Sequence, residues 1–128
     1  EYMTILIDNR STLPIYEQIL KQIKESILSG ELPPDAPLPS IRALAKELKI
    51  SVITTKRAYD ELENAGYIYT VAGKGCFVAP LSKSAVDAEF MEKIQMHMQE
   101  IYRLASLGGI SRTEILHMLS ALDWEAEI

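Results

Sequence analysis

Cysteine occurs once in 128 residues, so no internal disulfide can form and a reducing cytoplasm is the expected setting. No apolar run approaches the roughly 20 residues that cross a bilayer, so neither a membrane span nor a membrane partner is expected. The first residues lack the layout of a signal peptide, and Met3 reads as the natural start, behind Glu1-Tyr2. There is no Walker loop, no dinucleotide fingerprint, and no grouping of nucleophile, base and orienter. Catalysis and cofactors are therefore not expected. Gly73-Lys74-Gly75 could pass for a phosphate cradle, but no helix follows to supply free N–H groups. His97, His117 and Cys76 are widely separated, with no ligand pair at metal-site spacing, so no metal is expected. Met96, Met98 and Met118 suit an adaptable packing surface better than a metal-sensing tail. Cys76 reads as a packing residue and not a redox switch.

What is present is the composition of a folded, soluble chain, 48% hydrophobic and 24% charged. The formal net charge of −5 is unevenly divided. Arg10 to Lys83 holds 10 Lys/Arg against 8 Asp/Glu, whereas Ser84 to Ile128 holds 3 against 8. The acidity sits mainly in the C-terminal part, which leaves the front free to present a local basic face.

Three blocks follow one another. Thr4–Ile7 is β-prone, and a helix is expected from Pro14 to Ser29, with Pro14 in its first turn, Thr12 or Leu13 as cap and Gly30 as stop. Ile15, Ile19, Ile23 and Ile27, with Leu20 and Leu28, make a continuous core stripe. Glu31–Pro39 contains four prolines and must run extended.

The second block reads as helix, tight turn, helix and hairpin. Ser40–Leu48 places Ile41, Leu44, Ala45 and Leu48 on one face. Lys49-Ile50 is the turn. Ser51 caps a second helix to Ala65, and Gly66 stops it. Tyr67–Val71 and Cys76–Ala79 are strands joined by Ala72-Gly73-Lys74-Gly75. This order predicts a winged helix-turn-helix over residues 4–80. The fold class is mainly α with a small β wing, followed by a C-terminal helical hairpin.

In such a fold the second helix enters the DNA major groove by its N-terminal end. Thr55, Ala58, Tyr59 and Leu62 share the inward face, which leaves Val52, Ile53, Thr54, Lys56 and Arg57 outward. Two adjacent branched apolar residues there suit thymine methyl contacts, and Thr54 can hydrogen-bond a base or phosphate. The alternative is that Val52 or Ile53 packs under the wing. Lys74, at the hairpin tip between Gly73 and Gly75, would reach a phosphate or the minor groove.

The third block, 84–128, is expected to be a short dimerisation domain. Met91, Ile94, Met98, Ile101 and Ala105 recur at spacings of three and four, a heptad-like seam. Gly108-Gly109 interrupts it, and Ser111 with Glu114 forms a capping box for a last helix presenting Ile115, Leu116, Leu119 and Leu122. Two helices this short cannot bury both apolar faces alone, so a homodimer is expected, with packing onto the first block as the alternative.

Pro14 to Ile19, Leu38 to Ala45, Ser51 to Leu62, and Gly73-Lys74-Gly75 with Phe77-Val78 resemble the N-terminal domain of GntR-type bacterial transcription factors, over Leu13 to Pro80. The short helical tail is similar to that of the YtrA-like subfamily, typically dimeric repressors, often of ABC-transporter operons. The resemblance implies contacts to a double-stranded DNA operator from Arg42, just after Ser40, from Thr54 behind the Ser51 cap, from Lys56, and from Gly73 and Lys74. Where the family commonly has Arg-Thr-Thr, this chain has Val52, Ile53 and Thr54, so no guanidinium stands at Val52. Lys49 occupies a turn position where the family commonly has glycine, which implies mild strain if its φ is positive. Two other readings are a winged-helix adaptor that binds protein and a sensor with a small-molecule pocket. No effector ligand is named by the residues.

Overall fold

The computed structural model describes residues 4–124. Five helices and one hairpin follow in order: α1 (Ile15–Leu28), α2 (Ile41–Leu48), α3 (Val52–Asn64), β1 (Ile68–Val71), β2 (Gly75–Val78), α4 (Lys83–Gly108) and α5 (Arg112–Ser120). The chain is thus mainly helical with a two-stranded wing, as its residue pattern implies.

The isoleucine ladder of α1 faces the core. Ile19, Ile23, Ile27 and Leu28 are buried, with Ile15 and Leu20 at its edge. Two local expectations about this region are corrected. Pro14 is the N-cap and not a first-turn residue, and no side chain caps the helix there. The preceding segment, 4–7, forms no strand. Its pairing partner is instead a pair of side-chain amides one helical turn apart. Gln22 accepts from Leu6 N–H at 3.0 Å and donates to Leu6 C=O at 2.8 Å. Gln18 accepts from Asp8 N–H at 2.8 Å and donates to Asp8 C=O at 3.0 Å. A primary amide offers the same donor and acceptor as a peptide group, so the two glutamines stand in for a neighbouring strand.

The proline-rich connector runs along β2. Val78 N–H donates to Ala36 C=O at 2.9 Å, Leu38 N–H donates to Cys76 C=O at 2.9 Å, and Pro37 bridges Phe77. Leu32 and Leu38 anchor it in the core. β1 and β2 pair antiparallel, with Ile68 opposite Val78 and Val71 opposite Gly75. Ile68 and Val78 are buried, whereas Tyr69 and Phe77 stack on the other face with ring centroids 5.6 Å apart. Tyr69 O–H donates to Asp35 at 2.7 Å, and that hydrogen bond holds the phenol above its ordinary pKa.

Residues up to Lys83 form one compact unit and those from Ser84 another. In the second, Gly109 takes φ +67° and Ile110 N–H closes onto Ala105 C=O. Ser111 then caps α5 by accepting from Glu114 N–H at 3.1 Å. Neither α4 nor α5 contains a buried residue. Met91, Ile94, Met98, Ile101, Leu119 and Leu122 are exposed, and Ala105 and Ile115 half-exposed.

Candidate nucleic-acid interface

α2 and α3 pack as a helix-turn-helix whose corner rests on Lys49, in the left-handed region at φ 59° and ψ 47°. Lys49 N–H donates to Lys46 C=O and Ile50 N–H to Ala45 C=O, which closes α2 as a Schellman turn. The same closure recurs after α3, where Gly66 occupies the left-handed position at φ +88°. Each helix also has a serine cap, expected at Ser51, whereas Ser40, read from the sequence as the first residue of its helix, is instead the N-cap of α2. Ser40 accepts from Ala43 N–H at 3.0 Å, and Ser51 from Thr54 N–H at 3.0 Å. Ser51 further donates to the Thr54 hydroxyl at 2.7 Å, which couples the cap to the first turn of α3.

That first turn stands clear of the core. Thr55, Ala58, Tyr59 and Leu62 are buried and hold α3 from below. Thr55 satisfies its buried hydroxyl on Ser51 C=O, and Tyr59 donates to Pro39 C=O at 2.7 Å, tying α3 to the entry of α2. Ile53 is 81% exposed, so it does not pack under the wing, and Val52 is 39% exposed. Thr54 is half-exposed beside them.

The basic residues fall into two groups. Arg42 on α2 and Lys74 on the wing tip are exposed, and Lys74 is carried by a turn that Gly73 enters at φ +77°. Lys56 and Arg57 on α3 are exposed but engaged. Lys56 pairs with Asp60 at 2.7 Å and Arg57 with Glu61 at 3.4 Å, each one helical turn away. Such exposed pairs hold weakly and exchange readily for another anion. Arg57 also lies over the Tyr16 ring, 3.7 Å from its centroid. The i,i+4 ion pairs were readable from spacing alone. The Tyr16 contact was not, because it joins residues of two separate helices.

Among the described residues, no three His, Cys, Asp or Glu side chains group as metal ligands. Cys76 is half-exposed on the wing, 3.4 Å from the Thr70 hydroxyl. In the described part of the chain no helix is long and apolar enough to cross a membrane.

Comparison with known proteins agrees with this geometry. The profile of "Bacterial regulatory proteins, gntR family" matches residues 15–78, from α1 to the end of the wing. The chain is 36% identical to the HTH-type transcriptional repressor YtrA of Bacillus subtilis, over 97% of this chain and 91% of that protein. A GntR family transcriptional regulator from Listeria monocytogenes superposes with a TM-score of 0.75 at 28% identity, covering 91% of this chain and all of that one. The AraR DNA-binding domain, solved in complex with operator ORX1, superposes with a TM-score of 0.54 at 29% identity, over 62% of this chain and 99% of that domain. These relatives are named as regulators and not as enzymes. With its helix-turn-helix, wing and tail all spanned by such matches, the chain belongs to the gntR family of bacterial regulatory proteins.

Proposed function

We propose that the protein is a sequence-specific DNA-binding repressor that acts as a homodimer in the bacterial cytoplasm. The observation that carries this is the first turn of α3, where Val52, Ile53 and Thr54 project outward from a serine-capped helix braced by a buried face. A helix end of this kind fits the major groove, with the two apolar side chains against thymine methyl groups and Thr54 on a base edge or phosphate. Arg42, Lys56, Arg57 and Lys74 supply the phosphate contacts. Ser40 and Ser51, as caps, set the two helices, and Gly73 and Gly75 let the wing turn approach the backbone closely. The operator complex of the related AraR domain supports the same mode of binding.

Dimerisation is assigned to residues 84–128. The seam of Met91, Ile94, Met98, Ile101 and Ala105, with Ile115, Leu119 and Leu122 on α5, is apolar and exposed or half-exposed, which supports its use as an interface between two copies. Repression then follows by occupancy, two winged domains holding one duplex against polymerase. Resemblance to the YtrA-like subfamily supports a transporter operon as the target.

The test is selection of duplexes from a randomised library by the full chain, followed by affinity measured across salt. Affinity should fall steeply as salt rises. Lys74→Ala should flatten the slope by about one phosphate and weaken all sequences alike, since a phosphate contact carries no base information. Failure to enrich any sequence, or affinity indifferent to salt, would refute the reading.

A further inference from the structure

Arg57 has an uncommon setting for a cation on the outward face of a recognition helix. One face of its guanidinium lies over the Tyr16 ring of α1, 3.7 Å from the centroid. Its Nε is held by Glu61 at 3.4 Å. Both terminal amino groups remain outside these two contacts. An aromatic ring engages a guanidinium through its face and leaves the in-plane donors usable, so stacking and anion binding can coexist on one arginine. Lys56, the neighbouring cation, has no such support: its ammonium, on a flexible stem, reaches only Asp60.

Placement adds the second half of the argument. Ile53 and Arg57 are one turn apart on the outward side of α3, so whatever meets the exposed Ile53 passes close to Arg57. An unsupported arginine there would lose several rotamers on binding, at a cost set against the contact it makes. Resting on the Tyr16 ring, it has less freedom left to lose.

We propose that Tyr16 is a positioning residue for DNA binding, whose ring presents the terminal amino groups of Arg57 to a backbone phosphate at the edge of the major groove. This rests on the DNA-binding reading above. It adds a residue from α1, outside the helix-turn-helix, to the machinery of recognition. Arginine suits the task because its planar fork can give two parallel hydrogen bonds to one phosphate.

The experiment uses the full chain and the duplex most enriched from a randomised library. Affinity is measured across salt for the parent protein, Tyr16→Phe, Tyr16→Leu, Arg57→Ala and the Tyr16→Leu/Arg57→Ala double variant. Arg57→Ala should lower the salt slope by about one. Tyr16→Leu should weaken binding about two- to fivefold, the size an exposed cation–π contact supports, and should cost nothing further once Arg57 is absent. Tyr16→Phe should bind as the parent does, because the ring and not the hydroxyl does the holding. In the free protein, the Arg57 Nε–H proton signal should be ring-shifted in the parent and in Tyr16→Phe, and lose that shift in Tyr16→Leu. Equal losses from Tyr16→Leu with and without Arg57 would overturn the proposal, as would loss in Tyr16→Phe or an unchanged salt slope in Arg57→Ala. A parent protein that enriches no duplex would instead refute DNA binding itself, a different result from binding without coupling.

Discussion

At the scale of single residues, Lys49 shows how the helix-turn-helix corner trades stability for a side chain. Four helix ends place a residue with positive φ just past the helix, and three of them use glycine, Gly30, Gly66 and Gly109. Lys49 does the same at φ 59° with a β-carbon in the way. A left-handed non-glycine residue costs about 1–3 kcal/mol, and replacing it with glycine returns part of that as unfolded-state entropy. Lys49→Gly should therefore stabilise the fold by about 0.5–1 kcal/mol, read as a rise in the thermal or denaturant midpoint. A fall would mean that the lysine side chain itself holds the corner. Measured alongside, the salt dependence of DNA binding would show whether this exposed cation is retained for a phosphate.

At the scale of elements, α3 divides its labour between faces. Thr55, Ala58, Tyr59 and Leu62 fix its position, and Val52 and Ile53 of its first turn are left exposed. Substituting Val52 or Thr54 should accordingly change base preference more than non-specific affinity, by about 1–3 kcal/mol at the position concerned. Binding by each variant across a randomised operator library measures this. Unchanged preferences in both would assign these side chains to packing. If Val52 meets the base that an arginine commonly reads in the family, operators of relatives should bind this protein less tightly than the duplex it selects itself. The wing is a different kind of element, tied down by the connector at Ala36 and Leu38 rather than by its own two strands alone. That third partner gives a hairpin of two four-residue strands the support an isolated one lacks.

At the scale of the molecule, the question is what α4 and α5 are for. Many of their apolar side chains are exposed, with Leu107 74% exposed and Ile94 and Ile101 about half. Glu100 and Arg103 pair across one turn of α4, and the arginine holds that carboxyl below its usual range. Exposed as they are, they add little to stability. If the seam joins two copies, Ile94→Glu with Ile101→Glu places like charges against each other and should yield a monomer in sedimentation. That monomer should bind a half-site weakly and lose the preference for a two-fold symmetric operator, whose half-sites lie about 34–36 Å apart. The loss reflects effective concentration, with every base contact still available. A double variant that stays dimeric and binds normally would give the tail another purpose.

The residue order by itself determined whatever depends on neighbours within about one turn. The serine caps at Ser51 and Ser111, the glycine stops at Gly30, Gly66 and Gly109, the isoleucine stripe of α1, the inward face of α3 and the hairpin tip at Lys74 all follow from spacing and backbone preference. These interactions close over three to five residues, where the chain has few ways to arrange itself. Tertiary structure decided what joins distant segments. Gln18 and Gln22 read as ordinary polar positions of an amphipathic helix, yet they pair with the backbone at Leu6 and Asp8 and replace the strand that 4–7 was expected to form. Arg57 reads as an outward cation, and only the packing of α1 on α3 puts the Tyr16 ring beneath it. The connector's prolines announce an extended path but not the strand it runs beside. A β-prone run, a glutamine or an arginine has many possible partners of equal chemistry, and the choice among them belongs to the folded chain.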